Sequence, residues 1–285
     1  MIIIDGKEHD LGGGMLVRRI LPDRKKRMVG PFCFLDHMGP VAIAAKQNID
    51  VRPHPHIGLS TLTYLLEGRM VHRDSLGKVA TIEPGEVNWM TAGNGISHSE
   101  RSHKDDFDKV RKMHGLQFWV ALPDGKEDID PSFQHYEANQ IPKDENEVRS
   151  ISLVVGESFG LKSPVIATSP MIFSFLKAKN DFSFDFSAPK FELALYVVSG
   201  SANFDGETIN QYQMAVFEPG KFPKINVRAG TEVALVGGEP FETPRFIWWN
   251  LVSSSKEKIE LAKQRWKTGQ FPMVPGDTEF IPLPE

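Results

Sequence analysis

The sequence predicts an all-β fold: two β-barrels in tandem, followed by one C-terminal helix. Three observations lead there. Apolar runs are short and punctuated by turn residues, two motifs recur in the same order, and helical periodicity is confined to one stretch near the end.

The short runs are "STLTYLLEG", "KVATIEPGEVNWM", "HGLQFWVALP", "ELALYVVSG" and "MAVFEPG". They are rich in Thr, Val, Phe, Tyr and Trp, which suit a pleated and half-buried surface, and Gly, Pro, Asn and Asp bound them. The repeat pairs "YLLEG" (64–68) with "YVVSG" (196–200) at an offset of 132, and "IEPG" (82–85) with "FEPG" (217–220) at an offset of 135. In each half the first motif ends a strand at a glycine and the second makes a turn between strands. Between them, residues 122–148 are rich in Pro, Asp, Glu and Asn and read as a long connection. In "SSSKEKIELAKQRWKTG", Ser254 and Glu257 have capping-box spacing, Ile259, Ala262 and Trp266 share one face, and Gly269 and Pro272 end the helix. The final "FIPLP" reads as an extended tail. The expected domains are residues 1–135 and 136–285, the second including the helix.

Composition narrows the function. With 40% hydrophobic and 25% charged residues, the 285-residue chain can bury two cores. A net charge of −4 gives no electrostatic footprint for nucleic acid. Cys33 is the only cysteine, so neither an intrachain disulfide nor an all-thiolate zinc site is available. "MIIIDGKEHD" lacks the length and basic flank of a signal peptide, and no apolar run approaches a membrane span. A cytoplasmic, monomeric protein is expected.

The histidines carry the chemistry. "PHPH" (53–56) and "HSE" (98–100) each place two metal-binding side chains at i and i+2. On a strand those positions point to one face about 6–7 Å apart. His54, His56, His98 and Glu100 would together offer three nitrogens and one oxygen. Such a set suits Fe(II), Mn, Ni, Cu or Zn rather than calcium. Pro55 removes a ladder donor, which predicts an edge strand or a bulge. The repeat supplies a control: its offsets carry the four residues to Phe186, Ala188, Val233 and Leu235, and all nine histidines lie at or before His135. One half is equipped for a metal and the other is filled with hydrocarbon.

At this point the chain resembles the pirin family, a branch of the cupin superfamily. The matching stretches are "GPFCFLDHMGP" (30–40), "VRPHPHIGLSTLTYLLEG" (51–68), "GEVNWMTAGNGISHSE" (85–100), "GLQFWVALP" (115–123) and "RFIWWNLVSSSKEKIELAKQRW" (245–266). The resemblance implies two jelly-roll-like cupin barrels with one metal, usually iron, in the N-terminal barrel, on His54, His56, His98 and Glu100. Most cupins place a glutamate shortly after H-x-H; Ser60 and Thr61 stand there in this chain, and Glu100 supplies the oxygen, as in pirins. The activity implied is that of a quercetin 2,3-dioxygenase, which opens a flavonol ring with O₂. In that case Glu100 is a ligand, a catalytic base, or both. The alternative is a non-enzymatic, redox-sensitive iron protein that binds a transcription factor or a metabolic enzyme. A third reading uses the ion only as a Lewis acid.

Other residues receive plainer readings. Asp36 and His37 are either bonded to a ligand or a turn-forming Asp and a packed His. His72, His103, His114 and His135 read as ordinary, Trp89 and Trp119 as barrel core, and Cys33 as buried rather than reactive. Trp248 and Trp249 pack the last helix. Gly93 and Gly95 are not a phosphate loop, which needs a Lys and Ser/Thr; they allow the turn that delivers His98.

Overall fold

A computed structural model describes residues 1–11 and 15–284. Among these the chain is mostly antiparallel strand, with one α-helix at Lys256–Lys267. The strands gather into two compact units.

One unit comprises Met1–His9, Arg18–His37 and Asn139–Phe241. Its seven-stranded sheet runs Ile2–Asp5, Gln213–Phe217, Glu192–Ser199, Glu232–Gly238, Met171–Ala178, Arg149–Val155, Lys143–Glu145. Its four-stranded sheet runs Phe182–Phe184, Ile225–Val227, Ser201–Phe204, Glu207–Asn210. Residues of period two, such as Leu193, Leu195 and Val197, meet Phe184, Phe204, Ile225 and Val227 of the smaller sheet in one apolar core.

The other unit comprises Asp10–Val17, Met38–Ala138 and Glu242–Glu285. Its four-stranded sheet runs Val51–His56, Ile96–Ser102, Met70–Asp74, Val79–Ile82. In its larger sheet Ser132–Tyr136, Val87–Thr91, Leu59–Glu67 and Arg111–Ala121 are successive neighbours. Leu65 and Met113 from the larger sheet pack with Met70 and Ile82 from the smaller, so the two sheets share a core. The strand carrying His54 and His56 lies at the edge of its sheet, as Pro55 predicts.

The units do not follow a boundary at 135/136. Ile2–Asp5 pairs with Gln213–Phe217, in register from Ile2↔Val216 to Asp5↔Gln213, which ties the chain start to the later residues. The helix groups with the earlier residues because Ile259, Ala262 and Trp266 pack with Ile57, Leu251 and Phe271. Its N-cap is Ser255, one residue later than expected: Ser255 Oγ accepts from Lys258 N at 3.3 Å and donates to Glu257. Ser254 instead donates its N–H to Glu127 Oε1 at 2.7 Å.

The repeat is real at its turns. Gly68 and Gly200 have φ of 80° and 78°, and Gly85 and Gly220 have 83° and 74°. The offset of 135, however, does not carry His98 to its counterpart. Val233 and Leu235 lie in Glu232–Gly238, in the larger sheet. The position of Ile96–Ser102, second from the edge of the smaller sheet, is taken by Ile225–Val227. Connections of unequal length shift the offset between motifs. That strand pair carries no histidine, and its Phe182↔Val227 and Phe184↔Ile225 pairs are apolar.

A side chain at Gly68 would be held at positive φ and would strike the Lys112 carbonyl, whereas Gly77, with φ of 78°, has open space around it. Gly77→Ala is expected to cost ~1 kcal/mol and Gly68→Ala ~3 kcal/mol, since only the second adds a backbone collision. Urea denaturation of both variants checks this; equal losses would contradict it.

Candidate metal centre

The site is built on two paired strands. Ile96↔His56, Ser97↔Pro55 and His98↔His54 are opposite one another, so the two histidines of "PHPH" and the one of "HSE" face the same interior. A register shift between His98 and Glu100 then sets Glu100 opposite Val51. Gly93, at φ 51°, makes the turn before His98 in a position where a Cβ would strike the Ile129 carbonyl.

His54, His56 and His98 are 6%, 1% and 2% exposed. One ring nitrogen from each lies within 4.8 Å of the others, close enough to hold a metal ion. The hydrogen bonds say which nitrogens these are. His54 Nδ1 is 2.9 Å from Arg52 O, and His56 Nδ1 is 2.9 Å from Asn250 O. A carbonyl oxygen only accepts, so each Nδ1 carries hydrogen and each Nε2 presents a lone pair. His56 Nε2 lies 3.1 Å from His98 Nε2.

Electrostatics keep the rings neutral. Burial lowers the His54 pKa to about 4, with the Arg52 carbonyl opposing. It lowers His56 and His98 well below the usual histidine value, and neighbouring rings add to the effect. Glu100 moves the other way: burial raises its pKa to about 8. Its Oε1 is 3.6 Å from His98 Nδ1, and its Oε2 is buried with no hydrogen-bond partner. The close cluster thus contains the three histidines, and Glu100 stands beside it rather than in it. Three buried imidazoles and an unpartnered carboxylate oxygen fit a divalent transition-metal ion.

The remaining candidates separate. Asp36 is bound by Arg19 in two 2.8 Å contacts, and His37 Nδ1 is 2.7 Å from the Tyr196 hydroxyl, in the unit that contains Asn139–Phe241. His37 is thus a packed residue, whereas Asp36 forms no turn: it lies within the strand Phe32–Ile43 and is held by Arg19. Cys33 is buried. Trp89 is fully buried core, while Trp119 stands edge-on to His56 at 5.2 Å between ring centroids. His103 caps a short 3₁₀ turn, and His135 Nδ1 contacts Asn88 Oδ1 at 2.7 Å. His72 is not ordinary: its Nδ1 is 3.4 Å from His98 Nδ1 and its Nε2 is 3.0 Å from Asp74 Oδ2. Its signal was present in "MVHRD", where a histidine has an acidic residue at i+2 on a strand, as His98 has Glu100.

Among the described residues no helix is long and apolar enough to cross a membrane. The Pirin family profile matches residues 14–120, and the profile of the pirin C-terminal cupin domain matches residues 174–272. A pirin-like protein of Caulobacter vibrioides is 48% identical over 292 aligned positions, covering 100% of this chain and 99% of that protein. A Pseudomonas aeruginosa protein provisionally named a quercetin 2,3-dioxygenase is 36% identical, covering 93% of this chain and 83% of the relative. The crystal structure of a quercetin 2,3-dioxygenase from Acinetobacter baumannii matches at a TM-score of 0.93 with 38% identity, covering 100% of this chain and 95% of that one. With two cupin domains and matches along its whole length, the chain belongs to the pirin family.

Proposed function

We propose that this chain is a metal-dependent dioxygenase that opens a flavonol ring with O₂, with His54, His56, His98 and Glu100 holding Fe(II). The observation that carries this reading is the convergence of three buried imidazoles in a chain 38% identical, over its full length, to a quercetin 2,3-dioxygenase. Bound there, the ion would supply a Lewis-acid and one-electron centre for a flavonol oxygen and O₂. A redox-active ion suits that chemistry better than Zn.

The protein side of the reaction falls to a few residues. His54 and His56 are held by backbone carbonyls, so their rings are oriented before any ligand arrives. Glu100 has two uses: as a carboxylate it completes a three-nitrogen, one-oxygen set, and when released it takes the hydroxyl proton of the entering flavonol. Burial raises the Glu100 pKa in the metal-free site, and a divalent cation beside it would favour the carboxylate that both roles need. Trp119, only 8% exposed, gives the site an apolar wall beside His56.

His54→Ala, His98→Ala and Glu100→Ala are expected to lose bound metal and flavonol-dependent oxygen uptake together. Metal analysis after anaerobic purification and an oxygen electrode measure the two quantities. Full turnover by a metal-free variant, or a metal-loaded wild type that consumes no oxygen with any flavonol, would defeat the reading.

Metal binding should also release a proton. Below about pH 8 Glu100 in the metal-free site is protonated, and ligation requires the carboxylate, so binding expels that proton. Affinity should therefore rise about tenfold per pH unit between pH 6 and 7.5 and level off above 8. His54 does not compete for protons in this window, since its pKa is about 4. Calorimetry in buffers of different ionisation enthalpy reads the released proton directly. Glu100→Gln should flatten the dependence, and a flat wild-type profile would show that Glu100 gives up no proton when metal binds.

A further inference from the structure

The three imidazoles are not held alike. His54 and His56 donate to backbone carbonyls, which accept in every circumstance. His98 Nδ1 faces another imidazole, His72 Nδ1, at 3.4 Å. An imidazole nitrogen accepts only if its hydrogen is on the other nitrogen. The orientation of His98 therefore depends on what fixes the hydrogen of His72.

Asp74 is placed to do that. Ile96–Ser102 pairs with Met70–Asp74, with His98↔Asp74 and Glu100↔His72 opposite one another. Asp74 is fully buried and His72 is 5% exposed. Asp74 Oδ1 accepts from Leu76 N at 2.9 Å and Lys78 N at 3.1 Å, which pins the carboxylate to the turn that follows its strand. Its Oδ2 then lies 3.0 Å from His72 Nε2 and accepts that hydrogen. The His72 ring is held flat against Phe133, with centroids 4.4 Å apart and planes 12° apart. Glu100 Oε1, at 3.6 Å, is too far from His98 Nδ1 to replace His72 as acceptor.

We propose that Asp74 and His72 form a positioning relay: Asp74 holds the hydrogen of His72 on Nε2, which leaves His72 Nδ1 to accept from His98 Nδ1–H and turns the His98 Nε2 lone pair to the metal. The inference rests on the metal reading above. Neither residue touches the ion, and both act through His98.

Asp74→Asn is the sharpest test. Two backbone N–H groups hold the amide oxygen at the Oδ1 position, so the NH₂ group points at His72 Nε2. That reverses the relay: His72 then carries hydrogen on Nδ1, and His98 must carry its own on Nε2, where it blocks the metal. His72→Gln should preserve the direction, because its amide NH₂ and C=O can bridge Asp74 and His98 as the ring does. His72→Phe keeps the stacking on Phe133 and removes both bonds.

With Co(II) as probe on the full chain, competition against a chromogenic chelator measures affinity and the visible d–d band reports the ligand field. Asp74→Asn and His72→Phe are expected to bind Co(II) about 10–100-fold more weakly with a shifted band, and His72→Gln to stay within about threefold of wild type. A role confined to the turn predicts no rescue by glutamine and no change in the band. Asp74→Asn with wild-type affinity and spectrum, or His72→Gln as weak as His72→Phe, would overturn the relay. A wild-type chain that binds no divalent ion would overturn the metal reading itself.

Discussion

One strand register holds the functional half of the molecule together: His54 lies directly opposite His98 in the pairing of Val51–His56 with Ile96–Ser102. A slip of one residue would send both histidines of "PHPH" to the other face and separate them from His98. Neighbouring features guard against that slip. Pro55 confines its strand to the sheet edge, and Gly93 sets the turn from which the partner strand leaves. Beyond His98 the register against the edge strand shifts and sets Glu100 opposite Val51, while its own strand keeps the alternation that puts Glu100 on the face of His98.

That register has an energetic cost which the other unit shows by contrast. There the equivalent strand pair carries Phe184 opposite Ile225, inside a core with Phe204, Phe217 and Val227. Fully burying such side chains is worth roughly 1.5–3 kcal/mol each. The histidine-bearing unit gives up that contribution and buries three neutral, converging rings, along with a carboxyl group whose Oε2 has no partner. A cation bound only by the folded state would offset the deficit by mass action. The two units thus represent one architecture closed in two ways, by hydrocarbon or around a ligand set.

Much of this could be read from the sequence, for reasons that lie in the strand geometry. A period of two makes H-x-H and H-x-E visible as same-face pairs, and glycines at positive φ mark the repeated turns. Other features depend on pairing, which no local pattern states. His72 and Asp74 acquire their meaning only because their strand pairs with the one that carries His98 and Glu100. The counterpart of His98 in the second unit was missed because the connections differ in length, so a constant offset lands on the wrong strand. The cap lies at Ser255, not Ser254, and the Ser254 N–H that a capping box would give to Glu257 goes to Glu127, more than a hundred residues away.

Glu127 also explains why the C-terminal segment belongs with the three clustered histidines. Arg245 is 5% exposed; it donates to Leu122 O at 2.8 Å and lies 3.2 Å from Glu127 Oε1. Glu127 in turn accepts from Ser253 Oγ and Ser254 N, each at 2.7 Å. Between these anchors the chain turns through Trp249, at φ 50°, and presents the Asn250 carbonyl to His56 Nδ1. A non-glycine residue persists at such an angle only where its surroundings fix it. The helix that follows is locked by Ile259, Ala262 and Trp266 against Ile57, the residue next to His56. One of the three imidazoles is therefore oriented from a point 194 residues further along the chain. Joining the last segment to the first barrel is part of building the site, which a division of the sequence into two consecutive halves would have severed.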